Sequence, residues 1–266
     1  MIAVVMSLLG IHLAVADPES GARASEMKPA AVVELFTSEG CSSCPPADKL
    51  LAELIDEHAK AGDLIALSFH VDYWNNLGWK DPWSSPGATQ RQQEYRDSLG
   101  DQSLYTPELV VGGKVGFVGS DRARAEREIA AELLRPKPIP VSATAKWKET
   151  SETGRQLHVV VRLGKSDKIE KLIRKWTVLV AVTEKGLSSD VRRGENAGRK
   201  LSHQSVVRVS KTIESELNTK PEIDFAIPAD LQVDRASVVV LVQASPGKPI
   251  EGASHTELVR AEPATP

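Results

Sequence analysis

The junction at residues 31–59 limits the fold of this chain more than any other segment. Ala31 to Thr37 (AVVELFT) is an apolar, β-prone run, and Ser38-Glu39-Gly40-Cys41-Ser42-Ser43-Cys44-Pro45-Pro46 follows it at once. From Ala47 to Ala59 the apolar residues Leu50, Leu51, Leu54 and Ile55 recur at helical spacing, and Pro45 and Pro46 are acceptable in a first helical turn. After the Gly62-Asp63 turn, Leu64 to Val71 (LIALSFHV) reads as a second buried strand. Strand, helix and strand in this order predict a right-handed parallel crossover with a cysteine pair at its first turn.

Asp72 to Pro86 is too rich in Asn, Gly, Pro and Ser for regular structure, yet it carries Tyr73, Trp74, Trp79 and Trp83. Gly87 to Leu99 reads as a polar helix closed by Gly100. Tyr105-Thr106-Pro107 then precedes a strand at Glu108 to Val111, a Gly112-Gly113 turn and a strand at Val115 to Val118, which together read as a hairpin. A last helix is expected over Asp121 to Leu134 with Ser120 as its N-cap. The order over residues 30–135 is βαβαββα. Arg135 to Pro140 carries prolines at 136, 138 and 140 and reads as a stiff linker. Beyond it, strands at Val141 to Trp147, Leu157 to Leu163, Trp176 to Thr183, Ser205 to Ser210, Ala236 to Gln243 and Thr256 to Ala261 predict an antiparallel, sandwich-like β domain over residues 141–262. A chain of 266 residues fits two such domains. The fold class is α/β with a smaller, mostly antiparallel β part.

Ile2 to Ala16 is an apolar run ending in Ala14-Val15-Ala16, which reads as a signal peptide over residues 1–16. An uncleaved anchor is the competing reading, although about 15 residues is short for a span of ~20. The rest of the chain has no comparable run, so no membrane span is expected in the mature chain. Export places the protein in a bacterial periplasm or outside the cell, where disulfides persist. A net charge of -3 leaves no electrostatic footprint for nucleic acid or anionic membrane.

The chain holds two cysteines, Cys41 and Cys44, and a ring so small removes little chain entropy. Chemistry is the favoured reason for the pair, and a purely structural disulfide is the competing one. At the start of a helix, Cys41 faces unpaired backbone N–H groups that favour the thiolate, which makes it the candidate nucleophile. Cys44, further into the helix and expected to be less exposed, would resolve a mixed disulfide by attacking Cys41. The redox-active disulfide itself is the only cofactor this chemistry requires.

The element order, the cysteine pair and Pro107 together resemble the thioredoxin superfamily over about residues 30–135. That resemblance implies a cis-proline at Pro107 packed against the cysteines, with the backbone at Thr106 placed to pair with an extended substrate. ELFTSEGCSSCPPAD (Glu34 to Asp48), LSFHVDYWNNLGWKDPWSSP (Leu67 to Pro86), YTPELVVGG (Tyr105 to Gly113), VGSDR (Val118 to Arg122) and RGENAGRKLSHQSVVR (Arg193 to Arg208) further resemble the DUF1223 family of predicted secreted thioredoxin-like proteins. The family's name promises no activity; what it implies is the thioredoxin-like fold with an appended β-rich part. Gly40 stands where true thioredoxins usually have Trp, and Ser42-Ser43 stands in place of Gly-Pro, so no reduction potential carries over.

His70, Asp72, Tyr73 and Trp74 fall at the C-terminal end of the second parallel strand, the edge of an open α/β sheet where ligands collect. His70 is expected near Cys41 as a proton acceptor or a pKa-lowering cation, with a structural histidine as the alternative. His70 and Asp72 share a strand face, so Asp72 is a candidate to orient the imidazole. The aromatic loop is either a lid for apolar parts of a partner or a loop pinned by its own rings into a local core. Arg192 to Arg199, with His203 beyond, is either a solvated turn or a loop folding back to supply Glu195, Asn196 or His203 to the edge of the site.

The leading functional expectation is a thiol–disulfide oxidoreductase acting on an exported disulfide-containing protein or a small thiol. One alternative is a ligand- or partner-binding module that uses the first half only as a scaffold. Another is a copper or zinc carrier using Cys41, Cys44 and His70, with Asp72 as a fourth ligand.

Overall fold

The computed structural model describes residues 30–150, 154–166, 169 and 173–259, so the expected signal peptide at 1–16 and the last residues of the β-rich segment, 260–262, lie outside the described residues. The first half runs β1 (Ala31–Thr37), α1 (Pro45–His58), β2 (Leu64–His70), α2 (Pro86–Leu99), β3 (Glu108–Val111), β4 (Val115–Val118) and α3 (Arg122–Leu133), the βαβαββα order expected. The second half contributes β5 (Val141–Thr150), β6 (Gly154–Leu163), β7 (Trp176–Glu184), β8 (Leu187–Asp190), β9 (Lys200–His203), β10 (Val206–Ser215), β11 (Glu222–Ala226), β12 (Ala236–Gln243) and β13 (Ile250–Glu257).

Local chemistry explains the helix ends. Ser85 caps α2 by accepting from the Ala88 amide at 3.1 Å, and Pro86 fills the first turn. At α3 the cap is Asp121, whose Oδ1 accepts from the Arg124 amide at 3.0 Å, rather than the expected Ser120. Both residues are good caps, and the carboxylate adds charge complementarity at the helix start. The Thr106–Pro107 peptide bond is cis.

One sheet crosses both halves in the order β13-β12-β7-β10-β2-β1-β3-β4. β1 and β2 are parallel, β3 and β4 run antiparallel to β1 and to each other, and β10 joins β2 through the single parallel pair Val206 and Ser68. The Ser68 amide donates to the Ser205 carbonyl at 2.8 Å, which closes this seam. A second antiparallel sheet, β11-β6-β5, and the hairpin β8-β9 complete the strands among the described residues. The hairpin strands and β11 carry polar residues at alternate positions and were not expected from the sequence. The last strand lies at Ile250–Glu257, earlier than the expected Thr256 to Ala261, because Gly252 to His255 pair with β12 despite their low apolar content.

Alternation along the strands sorts the core. Ala31, Val33 and Leu35 face Leu50, Leu51 and Leu54 of α1 and Ile129 of α3, whereas Val32 and Phe36 share a cluster with Tyr95 of α2. That second cluster continues through Leu179 and Ala181 of β7 and Val239 and Leu241 of β12. Val178, Val180 and Val182 point the other way, against Leu157, Val159 and Val161 of β6, which forms the sandwich. The α/β architecture with its antiparallel β part is therefore as expected, with one leaf of the sandwich continuous with the sheet of the first half.

A buried polar cross-tie spans the halves. Glu34 of β1 is fully buried, and its carboxylate accepts from Arg91 Nε at 2.5 Å and from the Tyr95 hydroxyl. Arg91 also donates to Gln243 Oε1 of β12 at 3.3 Å from both terminal nitrogens. Its guanidinium lies 5.0 Å from the Tyr95 ring centroid and 5.7 Å from that of Phe69. Burial works against the charge, but the Glu34 carboxylate outweighs it and holds the Arg91 pKa above its ordinary value. Arg91→Leu, which strands the Glu34 charge, is expected to cost about 3–5 kcal/mol in urea unfolding, and the Glu34→Leu, Arg91→Leu double variant to recover much of that loss.

Candidate redox site

Cys41 and Cys44 form a disulfide in the turn between β1 and α1. Cys44 occupies the N-cap position of α1, and Pro45 and Pro46 open the helix. Both cysteines are fully buried, although Ser42 and Ser43 between them are exposed. The expected contrast between an open Cys41 and a shielded Cys44 is therefore absent from the disulfide form. Cys41 Sγ lies 3.8 Å from the Thr106 carbonyl oxygen, next to Pro107, and 3.3 Å from the Ser43 hydroxyl. Ser43 Oγ donates to the same carbonyl at 3.4 Å. The Pro107 carbonyl accepts from the Gly119 amide, just past the end of β4, at 2.9 Å.

The residue before the cysteines explains the small side chain at 40. A Cβ on Gly40 would meet the Trp74 Cβ at 3.0 Å and its carbonyl oxygen at 3.4 Å, so the chain at Trp74 takes the space beside the turn. Trp74 Nε1 donates to Thr106 Oγ1 at 2.8 Å, and the Tyr73 hydroxyl donates to Gln92 Oε1 at 3.2 Å. Trp79 Nε1 donates to Glu39 Oε2 at 2.8 Å, and the Trp83 ring sits 5.6 Å from His70 and 5.2 Å from His203. All four rings are half-buried, each tied to a neighbouring segment by a hydrogen bond or a ring contact.

Glu39, two residues before Cys41, is the centre of a buried network. Its carboxylate is fully buried and accepts from Trp79, from the Ser189 hydroxyl of β8, and from His203 Nε2 of β9 at 3.2 Å. Its amide donates to Asp81 Oδ2 at 2.8 Å, and the same oxygen lies 2.6 Å from His70 Nδ1. His203 Nδ1 is 3.6 Å from Asp48 Oδ1 on α1, an ion-pair separation longer than a hydrogen bond. The His70 and His203 rings meet edge to face at 4.7 Å, and His70 Nε2 has no hydrogen-bond partner among the described residues. Burial disfavours a charged His203, but the carboxylates of Asp48 and Glu39 outweigh it and push its pKa up to about 10. Asp81 is also buried, yet the adjoining His70 holds its pKa below the ordinary value.

His70 is thus oriented by Asp81 rather than by Asp72, whose Oδ1 instead accepts from Thr89 Oγ1 at 2.6 Å on α2. Strand alternation would put Asp72 on the face of His70, but the chain leaves the strand at His70, and the loop returns Asp81 to the imidazole. The loop between β8 and β9 folds back onto the cysteine turn. Glu195 Oε2 accepts from the Ser42 amide at 3.0 Å, and the buried Asn196 Nδ2 donates to the carbonyls of Glu39 and Cys41, each at 2.9 Å.

Glu39, Asp48, Asp81 and Ser189 escaped the sequence reading. Acidic residues near a helix start or inside a polar loop look solvated, and only the return of distant segments buries them. Glu108, next to Pro107, was also missed; burial pushes its carboxyl up to about 7, opposed by Gln92 Nε2 at 2.8 Å. Among the described residues, no group of three or more His, Cys, Asp or Glu side chains is arranged to hold a metal ion, so the expected alternative set of Cys41, Cys44 and His70 is not assembled as one. No helix among them is long and apolar enough to cross a membrane.

Fold and site together define a mixed α/β protein with a buried disulfide at the C-terminal end of an interior strand of a large sheet. Residues 32–243 match the family described as protein of unknown function (DUF1223), and the chain belongs to it. A crystal structure of an Agrobacterium tumefaciens protein is similar at 27% identity and a TM-score of 0.62, covering 91% of this chain and 100% of that one. HBP35 of Porphyromonas gingivalis shares the fold at 16% identity and a TM-score of 0.60, covering 91% of this chain and 79% of that one. No curated protein matches the chain in sequence.

The raised pKa of His203 has a stability consequence with a definite sign. Folding lifts it from an ordinary 6.5 to about 10, so its contribution is fully present below about pH 6.5 and is lost as pH rises through 10. Denaturant unfolding from pH 6 to 10 should show wild type exceeding His203→Gln by on the order of a few kcal/mol at the acid end, with the gap closing toward pH 10.

Proposed function

We propose that this chain is an exported thiol–disulfide oxidoreductase, with residues 30–135 forming a thioredoxin-like domain and residues 141–262 a β-rich companion. The observation that carries the reading is the Cys41–Cys44 disulfide at the start of α1 with the Thr106 carbonyl 3.8 Å from Cys41 Sγ. A disulfide in a strand-to-helix turn, beside a backbone segment leading into a short β-hairpin, is the arrangement that thiol exchange with an extended chain requires. The apolar run over residues 2–16 supports export to a bacterial periplasm or the exterior.

In the reducing direction the Cys41 thiolate attacks one sulfur of a substrate disulfide. A Cys41–substrate disulfide forms, and the other substrate sulfur leaves as a thiolate that takes a proton. The Cys44 thiolate then attacks Cys41, the mixed disulfide breaks, and the second substrate sulfur leaves. Two electrons pass from the protein to the substrate, and a dithiol donor restores the pair. The oxidising direction is the same sequence reversed, with a disulfide acceptor restoring it. Thr106 and Pro107 shape the groove, with His70, Asp72, Tyr73 and Trp74 as supporting residues around it. The substrate is a disulfide-containing protein or a small thiol compound.

Alkylation and mass measurement across a glutathione series are expected to give a reversible two-electron transition between roughly -120 and -270 mV, and Cys44→Ser to trap a mixed disulfide on Cys41. A pair that stays oxidised well below about -300 mV would instead be a structural staple.

A further inference from the structure

We propose that the loop between β8 and β9, residues 191–199, is a cap that must lift before either sulfur can exchange, and that Glu195 and Asn196 are its latch. The proposal rests on the oxidoreductase reading and supplies the access step that the reading lacks. In exchange, an incoming thiolate bonds to one sulfur as the Cys41–Cys44 bond breaks, and the other cysteine leaves as a thiolate that takes a proton. The attacker must approach in line with the breaking bond. With both cysteines fully buried, no substrate sulfur has that approach in the closed arrangement.

The contacts divide into a rigid piece, buried at Val191 and packed at Gly194 against Leu77 and Trp79, and a small set of side-chain ties to the cysteine turn. Within the loop, backbone hydrogen bonds join Val191 to Arg199 at 2.9 Å, Gly198 to Val191 at 2.8 Å, Ala197 to Gly194 at 3.2 Å and Arg199 to Asn196 at 3.1 Å, so the loop moves as a unit. Gly194 at φ 78° and Gly198 at φ 80° occupy the left-handed region and set the turns inside this unit. Its hydrogen bonds to the cysteine turn come from two side chains: Glu195 to the Ser42 amide, and Asn196 to the carbonyls of Glu39 and Cys41. Glu195 itself is exposed, so water competes for its bond. The base of the hairpin stays anchored, because Leu201 and His203 are buried. The cap therefore opens about that base without unfolding the sheet, and a docking partner that supplies its own acceptor to Ser42 and donors to the two carbonyls replaces the latch.

The test is the rate at which the oxidised protein is reduced by an uncharged hydroxyalkyl phosphine, which Glu195 cannot repel by charge. Phosphorus attacks a sulfur, water completes the phosphine oxide, and two thiols result. Glu195→Ala is expected to raise the second-order rate constant by roughly fivefold, the scale of one solvent-exposed hydrogen bond, Asn196→Ser, which removes two bonds, by more, and the double variant by more still. Because Asn196 is buried, circular dichroism accompanies each variant, and Glu195→Ala, on an exposed side chain, carries the test alone if Asn196→Ser fails to fold. Unchanged rates in folded variants overturn the cap. Faster reduction in variants that turn over no model disulfide leaves the cap standing and removes the oxidoreductase reading instead.

Discussion

A carboxylate shut away from water must be met by donors, and Glu39 is the one on which the site depends. It is fully buried two residues before Cys41, and its donors come from three separate stretches: Trp79 of the aromatic loop, Ser189 of β8 and His203 of β9. Losing any one leaves a buried acceptor short of its partners, at a cost of the order of 1–3 kcal/mol or more for a charged group. The cysteine turn, the aromatic loop and the β8-β9 hairpin are thus held in one arrangement by a single charge. The cation at His203 is part of the same balance, since it lies between Glu39 and Asp48.

A second buried charge works at a distance from the disulfide. Glu34, Arg91, Tyr95 and Gln243 join β1, α2 and β12 through groups that all lie in the interior. Apolar packing alone tolerates sliding between equivalent residues, whereas a guanidinium between a carboxylate and an amide accepts few positions. Glu39 ties the second half to the cysteine turn, and Arg91 ties it to the core.

The first half was legible because its signals are local. Ala31 to Thr37, Leu64 to Val71 and the Gly112-Gly113 hairpin declare their state within a few residues, and the cysteine pair marks the turn between strand and helix. The fold-back of the 192–199 stretch was visible as a choice between two readings, since a polar glycine-containing loop is equally good in solvent. What the sequence hid is pairing between distant segments. Nothing near His70 points to Asp81 over Asp72, because the return of the loop depends on Asn75 and Ser84 holding Asp81 in place. Short polar strands such as Lys200–His203 and Glu222–Ala226 carry too few apolar positions to stand out, and they exist because a neighbouring strand completes their hydrogen bonds.

The seam between β2 and β10 rests on one register pair, yet it decides whether the halves have separate lives. A chain cut at the proline-rich stretch after residue 135 would leave β2 as an open sheet edge, with the apolar face of Ile65, Leu67 and Phe69 stripped of Leu179, Ala181, Val239 and Leu241. Open edges beside bare apolar faces recruit other chains. Fusion, truncation or recombination at that stretch therefore exchanges a shared interior for a sticky border.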